Sequence, residues 1–211
     1  MDASFWLERW QDGRIGFHEG RVNAQLAAHH AAIAGARRVL VPLCGKAEDL
    51  AWLAAQGHEV IGVELAETAA QAFFAEHGLV PTATTAGGLP ALTAGGVTIA
   101  VGDVFATTAA GLGACDGYYD RAAMIALPPE LRTRYVAHLR GLLAPGARGL
   151  LVTLEYPQAA MAGPPFAVMP DEVATAWGAH AREIGYRDDA TAPALRALGI
   201  TPIERAYEIM T

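Results

Sequence analysis

Glu64, Asp103, Asp120 and Arg121 each come at the end of a short apolar run of the sequence. Runs of this length, rich in valine and isoleucine or tyrosine, are typical of buried strands. Open α/β sheets keep their ligand-binding and catalytic side chains at the carboxyl ends of strands. These four residues are therefore the first candidates for binding or chemistry.

The position of Glu64 indicates a specific kind of ligand. It lies nineteen residues beyond Gly45, which follows the preceding apolar run. In nucleotide-binding α/β units, an acid about 20 residues after the glycine turn accepts hydrogen bonds from ribose hydroxyls. An acid at this place could instead favour the dipole of the helix that follows. The spacing leaves both interpretations open.

The turn that contains Gly45 is predicted to face a ligand. Residues 39–41 form a continuous apolar run, as in a strand buried on both faces, and Pro42 indicates where that strand ends. Leu50 and Leu53 then recur at helical spacing. A strand that turns through glycine into a helix points backbone N–H groups at a ligand. With one glycine, the turn matches neither G-x-G-x-x-G nor G-x-x-x-x-G-K-[ST].

The other candidate residues each allow a second interpretation. Asp103 could meet a ring nitrogen or amine of a ligand, or it could cap the short turn over residues 104–108. Asp120 and Arg121 fit the active-site edge of a sheet, or they could form an ion pair of little energetic weight in a loop. These alternatives stay open at the level of spacing.

Aromatic residues crowd the first twenty positions. Trp6 and Trp10 lie one helical turn apart, and Phe17 follows them. They could form the core-facing side of an ordinary helix, or a flap that covers a flat ligand. Because they precede the first strand, they could reach over the edge of the sheet. We therefore treat residues 1–35 as a cap segment.

Strands and helices alternate along the chain, which predicts an α/β fold. Five strands separated by helices are followed by two strands, 181–186 and 205–209, with no long helix between them. This pattern favours a Rossmann-like, seven-stranded, mostly parallel sheet with helices on both faces and a C-terminal antiparallel strand pair. Residues 81–96, rich in Gly, Thr and Pro, are predicted to be a loop. We expect residues 1–211 to form one domain.

The composition indicates a folded protein with small-molecule partners. Of its 211 residues, 53% are hydrophobic and 18% are charged, and the net charge of −7 gives no support for a nucleic-acid partner. No apolar stretch reaches about 18 residues, and the N-terminus has no signal-peptide core. We expect a cytoplasmic monomer without a membrane partner or a metal site. Cys44 and Cys115 are expected to be reduced.

Eight short motifs occur in order along most of the chain. They are Phe5-Trp-Leu-Glu-Arg-Trp10, Ile15-Gly-Phe-His18, Val41-Pro-Leu-Cys-Gly-Lys46, Gly57-His58, Gly62-Val-Glu64, Tyr119-Asp-Arg-Ala122, Ala126-Leu-Pro128 and Gly163-Pro-Pro-Phe166. Together they resemble the thiopurine S-methyltransferase family of the bacterial type, within the class I S-adenosylmethionine-dependent methyltransferases. The most specific motif is Pro-Leu-Cys-Gly-Lys, which replaces the usual glycine-rich turn.

The resemblance implies an enzyme of the EC 2.1.1 class. It would transfer a methyl group from S-adenosylmethionine to aromatic or heterocyclic thiols such as thiopurines, leaving S-adenosylhomocysteine. Selenium or tellurium oxyanions are a further implied class of acceptor, which would make metalloid detoxification a role. The alternatives are a small-molecule O- or N-methyltransferase of the same fold, with His18 or Asp120 as proton acceptor, and a non-enzymatic S-adenosylmethionine-binding protein.

The resemblance also implies roles for single residues. Arg121 would lie near the methionine end of the methyl donor and near the acceptor, with Asp120 orienting it, and these two form the expected catalytic pair. Pro165 would help to wall the acceptor pocket. The expected cofactor-binding residues are Trp10, Leu43, Gly45, Glu64, Asp103, Val104 and Arg121. The expected acceptor-binding residues are Phe17, His18, Pro164, Phe166 and Arg196, the last as the nearest candidate for a second substrate arginine.

Overall fold

One nine-stranded sheet organises the computed structural model, which describes residues 3–188 and 192–211. Its strands lie in the order β3-β4-β5-β2-β1-β6-β7-β9-β8. They are β1 (Arg38–Pro42), β2 (Glu59–Glu64), β3 (Thr82–Ala86), β4 (Leu89–Ala94), β5 (Val97–Val101), β6 (Cys115–Asp120), β7 (Leu143–Glu155), β8 (Ala181–Arg187) and β9 (Ile203–Met210).

Helices connect most of these strands and cover the sheet. They are α1 (Ala3–Gln11), α2 (Ala24–His29), α3 (Glu48–Ala55), α4 (Glu67–Glu76), α5 (Ala109–Leu112), α6 (Ala123–Ala126), α7 (Pro129–Leu142), α8 (Pro170–Trp177) and α9 (Pro193–Ala197). Among the described residues, every helix is too short or too polar to span a lipid bilayer.

The point at which the strand order reverses lies at β1. This strand pairs in parallel with β2 on one side and with β6 on the other. β5 and β7 extend the parallel region outward from these two neighbours. Connections leave β1 toward one side and later return to the other, so a crevice opens beyond its carboxyl end. The fold therefore provides a ligand site next to the predicted glycine turn.

Strand β1 is buried on both faces, as predicted. Leu40 belongs to one core cluster, whereas Val39 and Val41 belong to the cluster on the opposite face. The same alternation continues in β6, where Tyr118 joins the first cluster and Tyr119 the second. The strand ends at Pro42, as expected for a residue without a backbone N–H.

The C-terminal antiparallel pair is confirmed. β8 pairs with β9 and forms one edge of the sheet, and β9 also pairs antiparallel with β7. The predicted Rossmann-like arrangement is therefore present, with four parallel pairings around β1 and the closing strands at one side.

The predicted loop over residues 81–96 is wrong, because this stretch forms β3 and β4. The sheet of the described residues therefore has nine strands and not the predicted seven. β3 and β4 form a hairpin, and β4 continues into β5 through a second one. Both turns are Gly-Gly pairs at positive φ, Gly87-Gly88 at 65° and 87° and Gly95-Gly96 at 61° and 83°. Two-residue turns of this kind match the twist of antiparallel strands. The Gly-Gly spacing was the available signal, and the threonines suit a strand edge.

Candidate active site

A cavity of about 880 Å³ lies over the carboxyl ends of the parallel strands. The parallel strands contribute wall residues at or just after their carboxyl ends, and the antiparallel strand β9 contributes one near its start. Following the sheet from β5 to β9, the wall residues include Asp103 and Val104, then Glu64, then Leu43 and Gly45, then Arg121, Leu154 and Glu204. The cavity is thus long enough to run across most of the parallel region.

The turn after β1 forms the middle of the cavity floor. Leu43 and Gly45 have positive φ values of 49° and 55°. A Cβ atom at Gly45 would lie 3.1 Å from Cζ2 of Trp10, closer than side-chain carbons normally approach. Glycine is therefore needed both for the backbone conformation and for the close contact with the Trp10 ring.

Glu64 ties this turn to the end of β2. Its Oε2 accepts the backbone N–H of Gly45 at 2.8 Å, and its Oε1 accepts that of Ala66 at 2.8 Å. The Gly45 N–H is therefore engaged by Glu64, so the prediction that it points at a ligand is wrong for this group. Burial raises the pKa of the Glu64 carboxyl, and these backbone bonds oppose that effect. Each oxygen keeps a second lone pair for a hydroxyl donor.

Arg121 lies between carboxylates on the cavity wall. Its Nη1 is 3.6 Å from Oε1 of Glu19, and its Nε is 3.8 Å from Oδ2 of Asp49. Asp49 is held in turn by the Tyr119 hydroxyl at 3.0 Å and by the Asn23 backbone N–H at 2.7 Å. The Nε atom of Arg121 is buried without a hydrogen-bond partner in the described part of the chain. An acceptor atom from a bound molecule could complete its bonding.

The prediction that Asp120 orients Arg121 is wrong. Successive residues of a strand point to opposite faces of the sheet. The side chain of Asp120 is therefore on the same face as that of Tyr118, whereas the side chain of Arg121 is on the same face as that of Tyr119. The buried Asp120 carboxylate accepts hydrogen bonds from Tyr135 Oη (2.7 Å), Ala123 N (2.9 Å), Met124 N (3.2 Å) and Tyr118 Oη (3.3 Å). Burial raises its pKa, and these donors oppose the effect. Asp120 is a structural residue that supports the chain as it leaves β6.

We expect Asp120→Ala to lower the free energy of unfolding by about 3–5 kcal/mol, because it leaves several buried donors without an acceptor. Urea unfolding measures this effect. Asp103→Ala is the matched control, since Asp103 is exposed and caps the turn at Phe105 N at 2.9 Å. Loss of that cap should cost about 1 kcal/mol. Equal losses in the two variants would contradict the structural role of Asp120.

The aromatic residues of the N-terminal segment cover the cavity. Trp6 and Trp10 meet Phe17 edge-on, with ring centroids 5.5 Å and 5.6 Å apart, and all three line the cavity. None of the residues of α1 is fully buried. The flap interpretation therefore fits better than core packing. His18 also lines the cavity, and burial followed by the charge of Lys46 lowers its pKa.

Two predicted acceptor-site residues do not reach the cavity wall. Pro164 and Pro165 line it, but Phe166 packs next to Gly163, with the Arg132 guanidinium 5.9 Å from its ring centroid. Arg196 is exposed and donates to the backbone carbonyl of Asp188 at 3.2 Å. The nearby wall is formed by residues 192–195 instead.

Several wall residues were missed by sequence reasoning. They are Arg9, Glu19, Lys46, Phe105, Arg134 and Glu204, among others. Glu19 directly follows His18, so the motif pointed close to it. Glu204 had no local signal, because it lies within a strand whose neighbours are known only from the sheet pairing. Asp103 caps the turn and also lines the cavity, so the capping interpretation is confirmed and contact with a ligand stays a prediction.

The chemistry of the wall suits organic ligands. Within the described ranges, no three His, Cys, Asp or Glu side chains are grouped as a metal site requires. One end of the cavity offers Asp103 and Val104, and the centre offers the Glu64 carboxylate. The other end offers Arg121 beneath an aromatic cap. Such a wall fits an extended ligand with hydroxyl and charged groups, next to a flat second molecule.

Comparison with protein families supports this description. A profile of the family described as Thiopurine S-methyltransferase (TPMT) matches residues 1–210 of the chain. The chain is 52% identical over 175 residues to the thiopurine S-methyltransferase of Pseudomonas aeruginosa, covering 82% of this chain and 80% of that protein. It is 47% identical over 214 residues to that of Pseudomonas entomophila, with 99% of each covered.

Solved structures share the fold at lower identity. The Burkholderia thailandensis 1,6-didemethyltoxoflavin-N1-methyltransferase, with bound 1,6-didemethyltoxoflavin and S-adenosylhomocysteine, has a TM-score of 0.69 at 20% identity, covering 99% of this chain and 87% of that one. The glycopeptide N-methyltransferase MtfA, complexed with S-adenosylhomocysteine, has a TM-score of 0.61 at 17% identity, covering 90% of this chain and 91% of that one. These likenesses concern the fold.

Proposed function

The chain belongs to the thiopurine S-methyltransferase family, and from that membership we propose that its cavity holds S-adenosylmethionine beside a heterocyclic thiol and transfers the methyl group to the sulfur. It is a methyltransferase of the EC 2.1.1 class that acts on small molecules. The observation that carries the proposal is the order of wall residues in one cavity, from Asp103 through Glu64 and Gly45 to Arg121.

The wall residues fit S-adenosylmethionine in that order. Asp103 and Val104 would lie beside the adenine, and Glu64 would accept the ribose hydroxyls through its remaining lone pairs. Leu43 and Gly45 would lie under the methionine portion, where the absence of a Cβ brings the backbone against Trp10. The buried, unpartnered Nε of Arg121 would meet an acceptor atom near the methionine end or on the thiol.

The residues of this chain would mainly position and shield the reactants. Bound S-adenosylmethionine supplies a methyl group on a sulfonium, which is already activated for transfer. Holding the two reactants in line can contribute up to about 7–11 kcal/mol to lowering the barrier. Trp6, Trp10 and Phe17 would exclude water and pack on a flat acceptor. A positively charged sulfonium near these rings would also gain cation–π attraction.

The acceptor preference can be tested with matched compounds. We expect the purified protein to methylate 6-mercaptopurine with S-adenosylmethionine, and to methylate its oxygen analogue hypoxanthine at least about 10²-fold more slowly, because an oxygen nucleophile is harder and needs stronger deprotonation. Initial rates by liquid chromatography and mass spectrometry measure this ratio. Faster methylation of hypoxanthine would favour the O- or N-methyltransferase alternative, and no product from either would reject the proposal.

Further expectations about this enzyme stay predictions. They are a single domain over residues 1–211 with a cap over residues 1–35, a monomeric state, cytoplasmic location, and no nucleic-acid or membrane partner. Selenium and tellurium oxyanions stay a predicted second class of acceptor. The same rate assay, run with selenite or tellurite in place of the thiol, examines that class.

A further inference from the structure

One acidic side chain of the cavity wall lies beyond Arg121, on the side away from Glu64 and Gly45. Glu204 is on β9, directly paired with Leu154 of β7. Directly paired residues of antiparallel strands present their side chains on the same face, and both of these residues line the cavity. Since β7 and β9 lie beyond β6, Glu204 is on the opposite side of Arg121 from the β1 turn.

Glu204 is held by two buried side chains. Nδ2 of Asn23 donates to its Oε1 at 3.4 Å, and Nε2 of Gln25 donates to its backbone carbonyl at 2.9 Å. Asn23 and Gln25 are only 2% and 1% exposed, so they form rigid supports. Among the described residues, Oε1 alone receives a side-chain hydrogen bond, which leaves Oε2 available to a ligand.

The surroundings of Glu204 favour the neutral form of its carboxyl group more than solvent favours the neutral form of an exposed one. Burial raises the pKa of Glu204, and the charge of Glu19 in the cap segment raises it further. Arg121 at the end of β6, the Asn23 amide and Arg187 on β8 act in the opposite direction. A carboxylate whose pKa is raised above its ordinary value is a stronger base and is better matched to proton transfer near neutral pH.

Arg121 is less suited to stabilising a free thiolate than an isolated arginine would be. Glu19 and Asp49 lie 3.6 Å and 3.8 Å from its guanidinium and offset its charge. The charge of Glu204 also acts on Arg121, so three carboxylates offset this one cation. This end of the cavity therefore favours a neutral acceptor that can donate a hydrogen bond over an acceptor that enters as an anion.

We propose that Glu204 accepts the ring N–H next to the reacting sulfur and takes its proton during transfer, which makes cyclic thioamides the preferred acceptor class. The inference rests on the proposed S-methyltransferase activity and assigns a proton acceptor within it. Mercaptopurines in their neutral thione form carry such an N–H beside the C=S group. Simple aromatic thiols have no N–H at that position.

The proposed step balances in atoms and charge. The sulfur lone pair forms the new S–CH₃ bond, and the bond between that methyl and the sulfonium sulfur breaks, leaving neutral S-adenosylhomocysteine. The C=S bond becomes C–S as the ring C–N bond becomes C=N. The N–H proton moves to Oε2 of Glu204, so the positive charge of the sulfonium is cancelled by the carboxylate that becomes neutral.

The test compares two acceptors in the wild type and in Glu204→Gln. We expect the substitution to lower kcat/KM for 6-mercaptopurine by about 10²-fold at neutral pH, the lower range for loss of a general base. For para-nitrothiophenol, which is ionised at that pH and has no ring N–H, kcat/KM should stay within about threefold. Glutamine keeps the size of the side chain and the oxygen that accepts from Asn23. Calorimetry with S-adenosylhomocysteine checks that the donor site is intact.

The pH profile of the wild type gives a second measurement that does not depend on folding of the variant. As pH falls through the raised pKa of Glu204, kcat/KM for 6-mercaptopurine should fall, because the protonated carboxyl no longer accepts a proton. Glu19→Gln should move this acid limb to lower pH. Equal losses for both acceptors in Glu204→Gln, or no acid limb specific to 6-mercaptopurine, would overturn the inference. A wild type inactive on both acceptors would overturn the proposed function and this inference with it.

Discussion

Arg121→Ala should lower kcat for methylation of 6-mercaptopurine by about 10²–10³-fold, while the Kd for S-adenosylhomocysteine rises by less than about fivefold. Arg121 lies at the end of β6, between the residues that would bind the methyl donor and those on β7 and β9 that would face the acceptor. Its unpartnered Nε is positioned for an interaction that forms when both reactants are present. Removing it should therefore affect turnover more than donor binding.

Stopped assays for kcat and calorimetry for Kd separate these two effects. Arg134→Ala is the matched control, because Arg134 also lines the cavity but lies at the β5 end, with its guanidinium 4.2 Å from the Phe105 ring centroid. Its kcat should stay within about threefold of the wild type. Arg121→Ala leaves Glu19 and Asp49 without their cation, which can lower the stability of the fold. The free energy of unfolding in urea should therefore be measured for the variant as well. A rise in Kd as large as the fall in kcat would reject a role for Arg121 at the acceptor.

Glu64→Gln should weaken S-adenosylhomocysteine binding by about 10²-fold, since hydrogen bonds to a charged acceptor contribute about 1.5–3 kcal/mol each. The carboxylate also accepts from the backbone of Gly45 and Ala66, and a glutamine amide can satisfy only one of the two. The other N–H would face an NH₂ group. The variant should thus lose one of the two ribose acceptors, the negative charge of the other, and part of the support of the β1 turn.

The pH dependence of donor binding has a definite sign. Burial raises the pKa of Glu64. Ribose hydroxyls donate to the ionised carboxylate, so binding favours that form and lowers its pKa. Affinity for S-adenosylhomocysteine should therefore be highest above the raised pKa and fall as pH decreases through it, and this slope should be absent in Glu64→Gln.

Calorimetry across a pH series measures both effects. Glu67→Gln serves as the control, because Glu67 is an exposed acid in the first turn of α4 whose side chain accepts from Gln71 at 2.9 Å. It should leave the Kd and its pH dependence within about twofold of the wild type. Unchanged affinity in Glu64→Gln would refute the ribose assignment.

The parts of the fold that were predictable are those where one local rule dominates. The apolar run of β1, its end at Pro42 and the glycine turn follow from burial on two faces and from the missing proline N–H. The spacing from Gly45 to Glu64 indicated which acid would reach the crevice, because one helix returns the chain to a neighbouring parallel strand. The hairpin over residues 82–94 was missed because its Thr and Gly content was interpreted as a loop signal.

The site was harder to predict where side-chain direction or sheet pairing determines which residues reach the cavity. Asp120 and Arg121 are adjacent in sequence, yet strand alternation sends one into the core among tyrosines and the other to the cavity. The period of two along a strand is the sequence signal that separates them. Glu204 reaches the cavity only because β9 pairs with β7, which no local pattern reveals. Arg196 was the nearest candidate for a second substrate arginine, but residues 192–195, at the start of the short helix α9, line the wall instead.

The central claim is that one cavity brings the sulfonium methyl of the donor to the sulfur of a heterocyclic acceptor. The most direct measurement uses S-adenosylmethionine labelled in its methyl group, with 6-mercaptopurine as acceptor, and determines where the label resides in the product by NMR. We predict the label on sulfur, in a yield that matches the S-adenosylhomocysteine formed. Label on a ring nitrogen, or S-adenosylhomocysteine formed without labelled product, would contradict it.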